Sequence, residues 1–432
     1  MPVPIICLDE DVRYFAERFR EVFSKPQYQH FVTVLLGLML CEGTRTLSGL
    51  LQQIADRPSL AGLSRFLSEA PWEEAAVVES WLRHFREEMQ PQVAAELQRE
   101  RQMQPKRRGR PKAPVVTGYL IGDDSTMHKR KAKKMEGLGM HHSTTEDKRV
   151  RGHSLVESLY VVRGRRCPLA PQLYRQQKVC EGEGVPFASK IELMETTIRT
   201  FEPIAGTVTH VLLDSWYSAK RLWRAARERE FLITTGIKCN RWLAVADPTA
   251  PKGWKWQRLS EYTAQLRASD YVELAWPKGE KTVYVHVITT RVRSLYRCQV
   301  VIVRQSLDDP VSQARYWASS DLEASPQTLL LHIAARWDIE VLFGDSKEEL
   351  GLDQYQLMSA VAIVRFWTLA MLAYVFLEEE RHRLQQQWQC HVTIGQARRE
   401  IQRRHRRHVL DWLHGQFQSG IEPDSLYELF SA

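Results

Sequence analysis

The spacing of apolar residues changes twice along this 432-residue chain, and the changes limit the folds open to it. Up to about residue 95, apolar positions recur every three or four residues, which is typical of amphipathic helices. From Val115 onward, short apolar runs with strand character alternate with helical segments, and helical spacing returns at Pro326. An alternation of this kind predicts the α/β class, in which helices pack against a sheet.

Breaks in these patterns divide the chain into six predicted segments. In chain order they are a helical DNA-binding domain at 1–100, a basic linker at 101–114, the first part of an α/β core at 115–238, a β-rich insertion at 239–325, the second part of the core at 326–380 and a basic helical region at 381–432. The core is therefore expected to be interrupted in sequence by the insertion.

Composition and charge narrow the class of protein. With 44% hydrophobic and 26% charged residues, the chain is of the folded, globular type. Lysine and arginine outnumber aspartate and glutamate by 60 to 52, which favours a polyanionic partner. The seven cysteines form no CxxC pair, so we expect neither a disulfide framework nor a zinc knuckle, and a reducing cytoplasm fits best. We recognise no leader, and the apolar run from Val32 to Cys41 is too short to cross a bilayer.

Three groups of basic residues are predicted to contact DNA. Arg45 opens a short helix in a pattern compatible with a helix-turn-helix. Arg108 and Arg110 flank a glycine in the linker, as in extended arms that lay arginines into a narrow minor groove. Lys129 and Arg130 begin a basic, glycine-containing loop, for which we expect phosphate contact. The alternative for each group is ordinary solvent exposure, because turns and linkers often carry solvated arginines.

A helical pattern around residue 340 carries closely spaced charges. Residues 329–343 keep helical spacing without proline or glycine, which predicts one continuous helix. Arg336, Glu340 and Lys347 share one face of such a helix, so one acidic side chain stands between two basic ones. Taken alone, a solvated face with an i,i+4 pair worth a few tenths of a kcal/mol explains the pattern equally well. The acids expected to lie off this face, in solvent, are Asp338 and Asp345.

Three carboxylates occupy places where acidic groups can converge. Asp124 ends the first core strand, Asp214 ends the buried run THVLLD, and Glu340 lies on the helix just described. Phosphodiester chemistry is served by two Mg²⁺ or Mn²⁺ ions, and such hard cations require oxygen ligands. We therefore predict catalytic and metal-binding roles for all three. Asp123 is an alternative to Asp124: the two point to opposite faces of the strand, and the Asp-Ser-Thr context favours Asp124.

These residues resemble those of the DDE transposases of bacterial insertion sequences, in the branch marked by a Tyr-x2-Arg-x3-Glu-x6-Lys signature. The resemblance covers roughly residues 115–380 and includes Arg336, Glu340, Lys347 and the two strand-end aspartates. The signature tyrosine is replaced by Ile333, so a DNA phosphate contact is either missing or made by a neighbour such as His332.

The resemblance implies a ribonuclease-H-like core interrupted by a β-rich insertion. It implies an enzyme that binds two Mg²⁺ or Mn²⁺ ions, acts as a homodimer on double-stranded DNA at inverted-repeat ends, cleaves there and transfers the 3′ ends into target DNA. Such an enzyme would work at the nucleoid in a bacterial cytoplasm. The alternatives are a domesticated DNA-binding regulator and a ribonuclease-H-like nuclease without strand transfer.

The resemblance also implies roles for residues around the carboxylates. Arg336 and Lys347 would hold phosphates near the cut. An aromatic side chain of the insertion would stack on a flipped base, for which Trp254, Trp256 and Trp276 are candidates. The alternative is that these tryptophans pack the insertion's own core.

Overall fold

A computed structural model describes residue 5 and residues 10–103, 114–143 and 147–426 of the chain. The predicted minor-groove contacts, Arg108 and Arg110, lie outside the described residues. The N-terminal part is helical. Its helices are α1 (Glu10–Glu17), α2 (Lys25–Leu40), α3 (Leu47–Leu51), α4 (Leu60–Ser68) and α5 (Glu74–Met103).

Side-chain caps explain where several of these helices begin. The Thr46 hydroxyl accepts the backbone N–H of Gly49 at the start of α3, and Ser59 accepts that of Gly62 at the start of α4. Helix α5 continues through Pro91 and ends at Met103, beyond the boundary predicted at residue 100.

The middle of the chain supplies most of the strands. In chain order the elements are β1 (Val116–His128), β2 (Gly139–Ser143), β3 (Lys148–Val162), β4 (Arg165–Pro168), β5 (Gln172–Tyr174), α6 (Gln177–Glu183), α7 (Lys190–Thr200), β6 (Thr207–Leu213), α8 (Lys220–Glu228) and β7 (Leu232–Gly236).

The remaining elements run from a second group of strands to long C-terminal helices. They are β8 (Trp242–Ala246), β9 (Trp254–Arg258), α9 (Leu259–Gln265), β10 (Val272–Ala275), β11 (Thr282–Arg291), β12 (Arg297–Arg304), β13 (Arg315–Ser319), α10 (Pro326–Ala335), α11 (Asp338–Leu350), α12 (Ala360–Trp388) and α13 (Ile394–Gln418).

One large mixed sheet organises these elements, so the predicted α/β class is confirmed. Its strand order is β10-β11-β12-β13-β7-β6-β1-β3-β2, with β4 and β5 also paired to β3. Strand β6 runs parallel to both β1 and β7, and the other pairings are antiparallel. Parallel neighbours require a crossover between them, which α7 and α8 provide.

The segment predicted as an insertion contributes β10 to β13 to this same sheet. Strand β13 pairs with β7, with Ala318 opposite Thr235, so the hydrogen-bonded ladder crosses from one segment into the other. Only β8 and β9 form a separate, two-stranded sheet among the described residues. The boundary predicted at residue 239 therefore does not separate two sheets.

The N-terminal helices and the sheet share one hydrophobic core, in which α12 is the central helix. Arg365 on α12 is buried and donates to the carbonyl oxygens of Leu67 and Trp72, which ties it to the N-terminal helices. Helix α12 is long and apolar enough to cross a membrane, but 89% of its most apolar stretch is buried inside the fold. Its apolar length is accounted for by the core.

The predicted continuous helix near residue 340 is interrupted, and the prediction was wrong on this point. Helix α10 ends at Ala335, Arg336 and Trp337 form a turn, and α11 begins at Asp338. Both turn residues keep right-handed helical dihedral angles, so neither proline nor glycine is needed for the break. The sequence therefore carries no breaker signal there.

Candidate active site

Two aspartates lie side by side where the parallel pairing of β1 and β6 ends. Gly122 on β1 is opposite Leu213 on β6, so the following residues, Asp123 and Asp214, are neighbours in register. Neighbouring residues on paired strands point to the same face of a sheet. The local fold thus brings Asp123, rather than Asp124, next to Asp214.

Glu340 joins this pair through Arg336. The Nη1 atom of Arg336 lies 3.1 Å from Asp123 Oδ2 and 3.4 Å from Glu340 Oε1. The positive charge of the guanidinium also acts on Asp214, whose pKa it lowers against the dominant effect of burial. The predicted partners Arg336, Asp214 and Glu340 are therefore brought together around one guanidinium.

Lys347 contacts Ser125, the next side chain after Asp123 on the same face of β1. Its Nζ atom donates to Ser125 Oγ at 2.7 Å, and Ser125 shares the face of Asp123 because strand side chains alternate. Burial lowers the pKa of Lys347, opposed by the charges of Asp353 and Glu340. The helix α11 thus presents Glu340 and Lys347 to one face of β1.

Asp124 points to the other face and is held by a different set of groups. Its carboxylate pairs with the Lys190 ammonium on α7 and accepts the Tyr217 hydroxyl at 2.9 Å. The backbone N–H of Tyr217 donates in turn to Asp214 Oδ1 at 3.2 Å. Asp124 is therefore linked to Asp214 by hydrogen bonds through Tyr217, and its charge also contributes to the raised pKa of Asp214. Sequence reasoning missed both Lys190 and Tyr217, although Tyr217 lies only three residues after Asp214.

Burial and mutual repulsion raise the pKa values of the paired aspartates. The pKa of Asp123 rises to about 8, first because the carboxyl group is buried and next because Asp214 is close, while Arg336 opposes the rise. Burial likewise raises the pKa of Asp214, against the backbone hydrogen bonds from Tyr217 and Trp216. Two carboxyl groups so placed cannot both ionise easily unless a cation joins them.

The donor set fits a hard divalent cation in its chemistry. Asp123, Asp214 and Glu340 offer oxygen ligands only, and the repulsion between the two aspartates is what a bound cation would relieve. The described residues contain no group of three or more His, Cys, Asp or Glu side chains already arranged to hold a metal ion. At the centre of the site, the Arg336 guanidinium stands between Asp123 and Glu340.

Two predicted DNA contacts are structural instead. Lys129 is buried, its ammonium donates to the carbonyl oxygens of Asp353 at 2.6 Å and of Tyr355, and it lies over the Tyr355 ring. Arg45 is buried as well, and its guanidinium donates to the Cys41 carbonyl. Neither side chain is available to a phosphate, so both predictions were wrong. Arg130, next to Lys129, is exposed.

Asp338 is buried and not solvated as predicted, whereas Asp345 is partly buried. Asp338 is buried at the start of α11, where its Oδ1 accepts Lys278 Nζ at 2.8 Å and Arg166 Nη2 at 3.0 Å. Burial raises the pKa of Asp345 to about 6. His332, suggested as a substitute for the signature tyrosine, is also buried, and its Nδ1 lies 3.2 Å from the Tyr119 hydroxyl. It does not reach the surface.

Tryptophans occur both on the β8–β9 sheet and beside the carboxylates. Trp254 and Trp256 form an edge-to-face pair on β9 with ring centroids 5.3 Å apart, and Trp256 is exposed. Trp276 packs against the cluster that contains Ile333. The side chains of Trp216 and Trp337 are 64% and 58% exposed and follow Asp214 and Arg336 closely in sequence. Sequence reasoning did not single out these last two.

The fold and the site together define a class of protein. It is an α/β protein whose mixed sheet carries an acidic cluster, with basic side chains at its edge, of the kind that attracts divalent cations and phosphates. The family of DDE superfamily endonucleases matches residues 18–297, which is more than half of the chain. The chain therefore belongs to the DDE superfamily endonucleases. The match includes both aspartates and ends before Glu340.

Comparison with solved structures finds similarity to a piggyBac transposase in a cryo-EM structure of its synaptic complex with hairpin DNA. The identity is 9%, the TM-score is 0.46, and the alignment covers 98% of this chain and 82% of that one. No curated protein matches the sequence.

Proposed function

We propose that this protein is a DDE transposase of the insertion-sequence type, with Asp123, Asp214 and Glu340 as its metal-binding carboxylates. The observation that carries the proposal is the contact of one guanidinium, that of Arg336, with both Asp123 and Glu340 beside Asp214. This choice replaces Asp124 by Asp123, because only Asp123 shares the sheet face of α11.

The site would work as follows. Two Mg²⁺ or Mn²⁺ ions held there would activate the attacking oxygen and stabilise the leaving 3′ oxygen of a phosphodiester. Arg336 has a planar guanidinium suited to bidentate phosphate contact, and release from Asp123 and Glu340 would free it for this role. Lys347, which now donates to Ser125, would supply a point charge to the neighbouring phosphate.

The surrounding fold fits the ribonuclease-H-like core of such enzymes. Parallel strands β1 and β6 carry the two aspartates at neighbouring positions, with antiparallel β3 on the other side of β1. The signature around Glu340 is retained except at Ile333, whose side chain packs in the cluster with β11 and β12. The proposed partners are inverted-repeat ends and target DNA, bound by a homodimer, and base stacking by Trp254 or Trp256 belongs to the same proposal.

A cleavage assay tests the proposal. The purified protein would be incubated with Mg²⁺ and plasmid DNA carrying the natural flanks of its gene, and strand breaks would be mapped. We expect Asp123→Asn and Glu340→Gln to abolish cleavage. Asp124→Asn should reduce it by a smaller factor, because Asp124 acts through Tyr217. Metal-dependent cleavage that survives in Asp123→Asn but not in Asp124→Asn would restore the original choice of Asp124.

A joining assay separates the transposase from a nuclease without strand transfer. A pre-cut duplex end with a free 3′ hydroxyl is offered with intact plasmid. A transposase joins the two, whereas a nuclease that cuts but does not join under the same conditions contradicts strand transfer. Binding to the flanks without cleavage would instead favour the domesticated regulator.

A further inference from the structure

A basic ribbon extends from the sheet beyond the carboxylates. It consists of β2, the first four residues of β3 (148–151) and Arg130. A cavity of about 370 Å³ on it is lined by Arg130, Met140, Lys148, Arg149, Val150 and Arg151. Four of these six are cationic, and all four are exposed. The following loop adds the exposed residues Lys131, Lys133 and Lys134.

Strand register keeps part of this charge on one face of the ribbon. Met140 is opposite Arg151, and His142 is opposite Arg149, so these four side chains point the same way. The register between β1 and β3 places Asp123 opposite Glu157, and Glu157 and Arg151 are an even number of residues apart. Arg149 and Arg151 therefore belong to the same sheet face as Asp123. Between them on this face, His153 Nδ1 lies 2.8 Å from the hydroxyl of Tyr355, whose carbonyl oxygen accepts from Lys129.

Two acids near the ribbon, Glu136 and Asp147, contact groups other than its arginines. The Glu136 carboxylate accepts the backbone N–H of Ala360 at 2.8 Å and so caps α12. Asp147 is exposed at the end of the ribbon, with its Oδ1 3.6 Å from His142 Nε2. The side chains of Arg149 and Arg151 are both exposed to solvent. A surface of this charge fits a polyanion.

We infer that the basic ribbon is the surface that binds the phosphate backbone of double-stranded DNA flanking the cut. The inference rests on the proposed function and specifies where the flanking duplex lies. Arg151 is opposite Lys129, six residues along β1 from Asp123, which corresponds to about 20 Å at about 3.3 Å per residue. A duplex that runs along β1 would meet the ribbon about six base pairs from the cut, at about 3.4 Å per base pair. A two-stranded ribbon also has the width that a major groove admits.

Salt-dependent binding tests the inference. The double variant Arg149→Gln/Arg151→Gln would be titrated against a mixed-sequence duplex of about 30 base pairs over a range of salt. Loss of two phosphate contacts should lower the slope of log K against log salt by about 1.8 and weaken binding roughly 60-fold near 0.1 M salt. The matched control, Arg224→Gln/Arg227→Gln, removes two exposed arginines from α8 and should leave both values unchanged.

Single variants and thermal melting separate the loss of a DNA contact from a loss of folding. Arg151 also donates to the Ala132 carbonyl at 3.2 Å, so its loss can loosen the loop, whereas Arg149→Gln alone should lower the slope by about 0.9. An unchanged slope in both ribbon variants, or an equal loss in the α8 control, overturns the inference while the proposed function stands. Failure of the unaltered protein to bind any duplex overturns both. Thermal melting of each variant confirms that it is folded.

Discussion

Substitution of Lys129 distinguishes two roles for this lysine. It was predicted to be a surface cation that contacts DNA, but the structure buries it. Lys129→Met keeps the aliphatic stem over the Tyr355 ring but removes the ammonium that serves the carbonyls of Asp353 and Tyr355. Each buried acceptor left without a donor costs about 1–3 kcal/mol, and the lost cation–π contact adds about 1 kcal/mol. Part of this is offset because a buried ammonium no longer has to be desolvated. We expect a net loss of about 3 kcal/mol.

The expected loss translates into a measurable shift in melting temperature. At about 2.1 cal/mol/K per residue, the unfolding entropy of a chain of this length makes 3 kcal/mol equal to about 3 °C. Calorimetry of Lys129→Met beside the unaltered protein measures this shift. The salt slope of DNA binding should not change, whereas the neighbouring Arg130→Gln should lower the slope by about 0.9. A normal melting temperature together with a lowered slope in Lys129→Met would refute the reasoning.

Three further predictions concern positioning and pH. Tyr217→Phe removes the hydroxyl group that donates to Asp124, so the free energy of unfolding should fall by about 1 kcal/mol. We expect cleavage to slow about tenfold and to require more Mg²⁺, which a Mg²⁺ titration in the cleavage assay measures. Lys278→Met removes one of the two cations on Asp338 at the start of α11, so cleavage should fall several-fold while stability changes by less than about 1 kcal/mol, since Lys278 is half-exposed. Burial lowers the pKa of His153 to about 4, below its ordinary value of 6.5. The contribution of neutral His153 to stability is therefore present above pH 6.5, and about 3 kcal/mol is lost as the pH falls toward 4. Urea unfolding at several pH values should show a smaller loss of stability in acid for His153→Gln than for the unaltered protein.

Each of these predictions has a control within the chain. Lys281→Met changes an exposed lysine in the same turn as Lys278 and should leave cleavage unchanged; an equal fall in both variants would contradict a specific role for Lys278. For Tyr217→Phe, a normal Mg²⁺ requirement would show that the hydroxyl does not position Asp214. For His153→Gln, an acid loss as steep as in the unaltered protein would assign the pH dependence to other groups, such as His141 and His332, whose pKa values burial also lowers to about 4.

Local patterns predicted the strands and helices better than their assembly. The run before Asp214 was predicted as a buried strand, and it is a strand that ends at Leu213 with its last five residues buried. The prediction that Asp123 and Asp124 point to opposite faces of the strand was also correct, because strand side chains alternate. The choice between them was not local: it depends on α11 covering one face of β1 and α7 covering the other. Those contacts join residues more than sixty positions apart.

The same limit explains the joined sheet and the misplaced cations. Strands β10 to β13 have ordinary local patterns, and only the pairing of β13 with β7 shows that they extend the central sheet. Lysine and arginine are rarely buried, so a sequence pattern favours solvent or DNA for them unless a partner is known. The partners of Lys129 are carbonyl oxygens in residues 351–358, about 220 positions away, and a backbone carbonyl leaves no mark in the sequence.

The two cations wrongly assigned to DNA act on one segment, which ends the helix that carries Glu340. Lys129 holds the carbonyls that follow α11, while the backbone N–H of Arg45 donates to the Gln354 side chain at 2.8 Å. Gly351, which ends α11 with φ of +64°, lies against Arg45 so closely that a Cβ there would be 2.8 Å from the Arg45 Cβ. Glycine is required at this position both by its backbone conformation and by the close approach. Arg45, between α2 and α3, therefore joins the N-terminal helices to the end of α11, the helix that carries Glu340.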